Sequence, residues 1–139
     1  MNGETVIALV NNLIQSGQPD AAPLAKLLGT TFKAGAANPY WTTYDFPLAN
    51  SPFARGGFRL SKDGLKALLY LETRDSNLVS SDLDLTSWGP VVGISPNPRI
   101  APEGADAYIY LVDGVRVSVQ YTHQSKKLLG VSLEWGTTA

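Results

Sequence analysis

The stretch that decides the fold is 107-AYIYLVDGVRVSVQYTHQSKKLLGVSLEW-135. Val115, Val117, Val119 and Tyr121 alternate with Arg116, Ser118, Gln120 and Thr122. A period of two with one apolar set is the mark of a strand with one buried face. Asp113-Gly114 stands before this run, and both residues tolerate the positive φ of a two-residue hairpin turn. Ala107–Val112 supplies the preceding strand. After the polar turn His123–Lys127 the alternation resumes with Leu129, Val131, Leu133 and Trp135. The stretch therefore predicts a three-strand antiparallel meander.

Upstream, residues 74–105 are the least regular part. Ser80 or Ser81 caps a short helical turn through Asp82–Trp88. Pro90, Pro96, Pro98 and Pro102 then forbid a continuing helix or a central strand. A long loop over 89–105 is expected, and long loops in compact domains are usually functional or disordered.

Earlier still, a second alternating region appears. Tyr40, Thr42, Tyr44 and Phe46 alternate with Trp41, Thr43 and Asp45, and Pro47 ends the run. Leu48–Arg55 reads as loop, Phe58 and Leu60 as the next strand, and Asp63-Gly64 as a hairpin turn. Leu65, Ala67, Leu69 and Leu71 line a third strand. The local propensity of Lys66–Leu69 would also suit a helix, but the preceding turn favours the strand.

The N-terminal region changes period. Val6, Leu9, Val10, Leu13 and Ile14 recur at helical spacing over 4–16. Gly17 stops this helix. Pro19 and Asp20 open a second one, with Leu24, Leu27 and Leu28 as its apolar face and Gly29 at its end. The fold class is thus α+β: two short N-terminal helices packed on an antiparallel sheet, in one domain over 1–139.

Composition narrows the function classes. The chain has 139 residues, formal net charge −1 and no cysteine. The charge balance does not point to nucleic acid or to an anionic membrane. The missing cysteines exclude disulfides, thiol nucleophiles and thiolate metal sites. No apolar stretch approaches the roughly 18 residues of a spanning helix. The expected location is the cytoplasm, or the periplasm if a signal peptide has been removed. Charge is uneven: residues 72–113 carry seven acids and two bases, including Arg74, Asp75, Asp82, Asp84, Glu103 and Asp106. That stretch reads either as a partner-facing surface or as an ordinary solvated one.

Catalytic groups are sparse. His123 is the single histidine, in a polar turn, and reads as an exposed turn residue. No nucleophile-elbow sequence surrounds a serine. One histidine without cysteine does not make a zinc site. Asp82-Leu83-Asp84-Leu85 lacks the glycine and terminal glutamate of a calcium loop. No catalytic residue, metal or cofactor is therefore assigned. Arg55, Arg59, Lys62 and Lys66 beside Phe53 and Phe58 form a mild basic patch, which suits RNA, an acidic partner or simple solvation.

The aromatic residues carry more. Tyr40, Trp41, Tyr44, Tyr108 and Tyr110 lie on strands whose successive residues face opposite sides, so both core and interface placements stay open. Tyr40, Trp41, Asp82, Asp84, Asp106, Tyr108 and Tyr110 are the candidate partner-binding residues.

The two halves look alike. Leu27-Leu28-Gly29, Tyr40–Phe46, Gly57-Phe58-Arg59-Leu60 and Leu69-Tyr70-Leu71-Glu72 correspond to Ser87-Trp88-Gly89, Tyr108–Leu111, Gly114-Val115-Arg116-Val117 and Val131-Ser132-Leu133-Glu134. Tandem helix–β3 repeats over 20–73 and 82–135 are one reading, and chance likeness of alternating strands is the other. This pattern resembles two groups of binding proteins: tandem-repeat inhibitors similar to the β-lactamase inhibitory protein, and immunity proteins that neutralise bacterial polymorphic toxins. The resemblance is topological and spans 20–135. It implies a single protein partner, a toxin or enzyme domain, neutralised by occlusion. The alternative is a small cone-shaped enzyme or ligand-binding domain resembling the nuclear-transport-factor-2 superfold, with a pocket built on Asp45 and Tyr44 or on Asp106 and Tyr108. A third is a structural subunit that forms homo-oligomers through a strand edge.

Overall fold

A computed structural model of the chain describes residues 3–36, 38–49, 51–73 and 78–136. Arg74 and Asp75 of the acidic stretch lie outside the described residues.

The first helix, α1, spans Gly3–Gln15 and buries Val6, Val10, Leu13 and Ile14, the stripe its sequence spacing defines. The second, α2, spans Ala21–Leu28. It starts after Asp20, whose carbonyl accepts the Leu24 amide, so Pro19 lies outside the first turn where it was expected. Gly29 ends α2 at φ 66°, and the amide of Thr30 reaches back to the carbonyl of Ala25. This left-handed stop satisfies carbonyls that the helix leaves open. Of the expected face only Leu24 is deeply buried. Leu28 packs at the margin and Leu27 is exposed.

Eight strands follow: β1 Lys33–Ala34, β2 Trp41–Pro47, β3 Phe53–Ser61, β4 Ala67–Thr73, β5 Gly93–Asn97, β6 Ala105–Val112, β7 Val115–Thr122 and β8 Leu128–Trp135. They form one antiparallel sheet in the order β1-β2-β3-β4-β8-β7-β6-β5. Two four-strand meanders therefore meet at β4 and β8, where Leu69 pairs with Leu133 and Leu71 with Val131. The arrangement is α+β, with the helices N-terminal to the sheet.

Several expectations need correction. Leu65, expected on the buried face of the third strand, precedes β4 and is exposed. The loop over 48–55 is shorter than expected, because β3 already begins at Phe53 and absorbs an irregularity between Phe53 and Arg55. The long loop over 89–105 contains β5, which pairs with β6 alone. Pro96 lies within β5, and an edge strand tolerates a residue with no amide to donate. The helical turn over 82–88 is resolved into two 3-10 turns, Ser80–Asp82 and Thr86–Trp88.

The sheet has two unlike faces. One carries Phe46, Phe58, Leu69, Leu71, Val117, Val119, Val131 and Leu133, which join the buried residues of α1 and α2 in one apolar cluster. Each leucine fully buried there contributes about 1.5–3 kcal/mol. The pleat sends the alternate residues to the other face. No described helix lies over that second face. Among the described residues, no helix is long and apolar enough to cross a membrane.

Candidate functional site

The uncovered face is built from residues directly beside each other across β2, β3 and β4. Trp41 pairs with Ser61, Thr43 with Arg59, Asp45 with Gly57 and then Tyr70, and Pro47 with Arg55 and then Glu72. The guanidinium of Arg59 lies over the Trp41 ring, 4.7 Å from its centroid. Arg55 donates through Nε and Nη2 to the two carboxylate oxygens of Glu72, at 2.6 and 3.2 Å. Such a fork fixes the two side chains relative to each other. Gly57 has no side chain, so Asp45, Tyr70, Arg55, Glu72 and Lys33 rim a depression of about 510 Å³. Burial in this depression pushes the Tyr70 phenol up, the charge of Glu72 adds to the rise, and Arg55 opposes it.

The other side of the sheet has a second concavity. A cleft of about 470 Å³ lies between the 80–91 segment and strands β6 and β7, and Tyr108, Tyr110, Tyr121 and Lys126 line it. Tyr108 and Tyr121 meet edge to face at 5.7 Å. Lys126 Nζ lies 3.4 Å from the Tyr108 hydroxyl and 3.6 Å from Asp106 Oδ2. Asp106 also accepts a hydrogen bond from His123 Nδ1 at 2.8 Å. Burial raises the Tyr121 phenol far above its ordinary value, with Tyr110 and Tyr108 adding to the shift.

The structure divides the candidate residues between these places. Trp41 is on the uncovered face, and Tyr40 stands 74% exposed just before β2. Asp106, Tyr108 and Tyr110 gather on the other side. Tyr110 is 8% exposed and meets Trp88 edge to face at 5.5 Å. Asp82 and Asp84 are exposed, but both serve their own loop. Asp82 accepts the Val79 amide at 2.8 Å, and Asp84 accepts the Thr86 hydroxyl and amide at 2.6 and 3.2 Å. Glu103 likewise binds the turn at Gln124-Ser125. The described acids of the acidic stretch are therefore largely occupied within the chain.

The pairing of Tyr44 with Asp45 does not form a pocket. They are successive strand residues: Tyr44 lies 5.6 Å from Phe32 on the covered side, and Asp45 lines the depression on the other. The same alternation splits the basic patch. Phe53 and Phe58 are buried in the core, while Arg55 and Arg59 face outward. Sequence reasoning missed Tyr70, Tyr121 and Lys126 as site residues. The signal for Tyr121 was its place in the alternation of β7, opposite Asp106. Among the described residues there is no cluster of three or more side chains suited to a metal ion.

Comparison with protein-family models, with curated proteins and with solved structures finds no match to this chain.

Proposed function

We propose that the protein is a protein-binding module, an inhibitor or immunity-type protein that neutralises one toxin or enzyme domain by occlusion, with the uncovered face of the sheet as its contact surface. The observation that carries this reading is the row Trp41, Arg59, Arg55 and Tyr70 on a face without a helical layer. Trp, Tyr and Arg are the residue types that dominate binding energy at protein interfaces. Here Arg59 is stacked on Trp41 and Arg55 is paired with Glu72, contacts that reduce the side-chain freedom lost on association. Opposite charges are interspersed on this face, which favours a partner of mixed polarity over a uniformly basic one. The cytoplasm, or the periplasm after removal of a signal segment, is the proposed place of action.

The enzyme alternative draws support only from the second cleft. There Asp106 is held by His123 and stands beside Lys126, an arrangement suited to holding a ligand. Association through strand edges has less behind it, since β1 is two residues long and β5 contains Pro96.

The test is affinity capture from cells that produce the protein, run in parallel with Trp41→Ala, Arg59→Ala and, as control, Lys127→Ala. A stoichiometric partner retained by the wild type and the control, and lost from both face variants, supports the reading. Retention by all variants, or no partner at all, contradicts it.

A further inference from the structure

We infer that the cleft formed by Tyr108, Tyr110, Tyr121 and Lys126 is a binding site for a small organic carboxylate with an apolar body. It lies across the sheet from the proposed interface and is independent of it.

Three observations lead there. First, the cleft is large enough for a small ligand: about 470 Å³ falls within the usual range of ligand pockets. Second, three tyrosines and a lysine share its lining, and each can donate a hydrogen bond. Tyr121 is 4% exposed, yet no described residue hydrogen-bonds its hydroxyl, and the same holds for Tyr110. These hydroxyls are not sealed in the core: the only sealed buried side-chain polar atom lacking a partner among the described residues is Nε1 of Trp135. They open into the cleft. Lys126, also in the lining, supplies a charge, its Nζ lying 3.4 Å from the Tyr108 hydroxyl. Open to the cleft, these hydroxyls bond to water when it is empty, and a ligand oxygen that accepts from them takes the place of that water. Third, the remaining wall is apolar, formed by Leu83, Leu85, Pro90 and Val91.

An acceptor-rich head and an apolar body are what this distribution recognises. A carboxylate provides two oxygens with room for several donors, and bonds from phenol and ammonium to an anion are stronger than neutral ones. Asp106 sets the limit. Its carboxylate sits 3.6 Å behind Lys126, orienting the ammonium and offsetting part of its charge. That favours a singly charged head over a phosphate.

The experiment is titration of the full chain, followed by NMR, with benzoate, phenylacetate and octanoate against benzyl alcohol, 2-phenylethanol and 1-octanol. At least one acid should bind about tenfold more tightly than its alcohol, the difference expected of one charge-assisted contact. Tyr121→Phe and Lys126→Gln should each weaken that acid by about fivefold or more, while the alcohol stays within about twofold. In the wild type, the bound acid should show proton contacts to the methyl groups of Leu83 and Leu85, a readout that does not depend on the variants folding. Absence of saturable binding by every acid below about 1 mM, equal affinity of acid and alcohol, or ligand contacts elsewhere on the protein would each overturn the assignment.

Discussion

Asp106 on β6 and His123 in the β7–β8 turn are joined by a hydrogen bond of 2.8 Å from Nδ1 to a carboxylate that is almost fully buried. A strand residue thereby fixes the turn that presents Lys126. Replacing Asp106 by Ala leaves Lys126 and His123 without this acceptor, and should cost about 1–3 kcal/mol. His123→Ala removes an exposed partner and should cost less than about 1 kcal/mol. Urea denaturation of the two variants measures both. Equal losses would mean that Asp106 does not anchor the turn.

The same turn gives a pH dependence. The Ser125 amide foremost, then its hydroxyl, with further help from the Gln124 amide, hold Glu103 down at about 2, against an ordinary value of 4.5. A carboxyl held below its unfolded value stabilises the fold above about pH 4.5, and that contribution is lost as pH falls toward 2. Thermal melts between these limits should therefore show a shallower decline for Glu103→Gln than for the wild type. Parallel curves would remove Glu103 from the account.

Gly56 marks a place where β3 admits no side chain. A Cβ there would lie 2.6 Å from the Tyr70 carbonyl oxygen and 2.7 Å from the Phe46 ring. The ring is buried and the carbonyl belongs to the sheet, so neither can yield cheaply. Gly56→Ala should destabilise by about 1–3 kcal/mol, and calorimetry checks it. A melting temperature equal to that of the wild type would show that the two strands move apart freely.

Trp88 ties the N-terminal helix to the second meander. Its Nε1 donates to Asn11 Oδ1 at 2.7 Å while its ring meets Tyr110. Trp88→Phe should cost about 1–3 kcal/mol through the lost hydrogen bond and edge contact. A double-mutant cycle with Asn11→Ala should show coupling between the two positions; strict additivity would deny it.

Much of the fold was legible because local chemistry and global pattern agree. Asp113 and Gly114 both take positive φ, 49° and 79°, as the Asp-Gly signal requires. Leu69 and Leu71 are buried on β4, as their alternation demands. What escaped depends on distant pairing. Leu128 rather than Leu129 is buried, because an irregularity between Gln120 and Tyr121 shifts the register of β7 against β8. β5 was hidden because an edge strand needs only one partner and tolerates Pro96. Alternation separates Tyr44 from Asp45 but does not say which side the helices cover. So the row Trp41, Arg59, Arg55 and Tyr70, and the meeting of Tyr108, Tyr121 and Lys126, become visible only once the strands are laid side by side.

The central claim is that the uncovered face of the sheet contacts a protein partner. Amide hydrogen exchange of the captured complex against the free protein tests it most directly. The account predicts added protection in β2, β3 and β4 around Trp41, Arg59 and Tyr70, with α1 and α2 unchanged. Protection confined to the helices or to the 80–91 segment would contradict it.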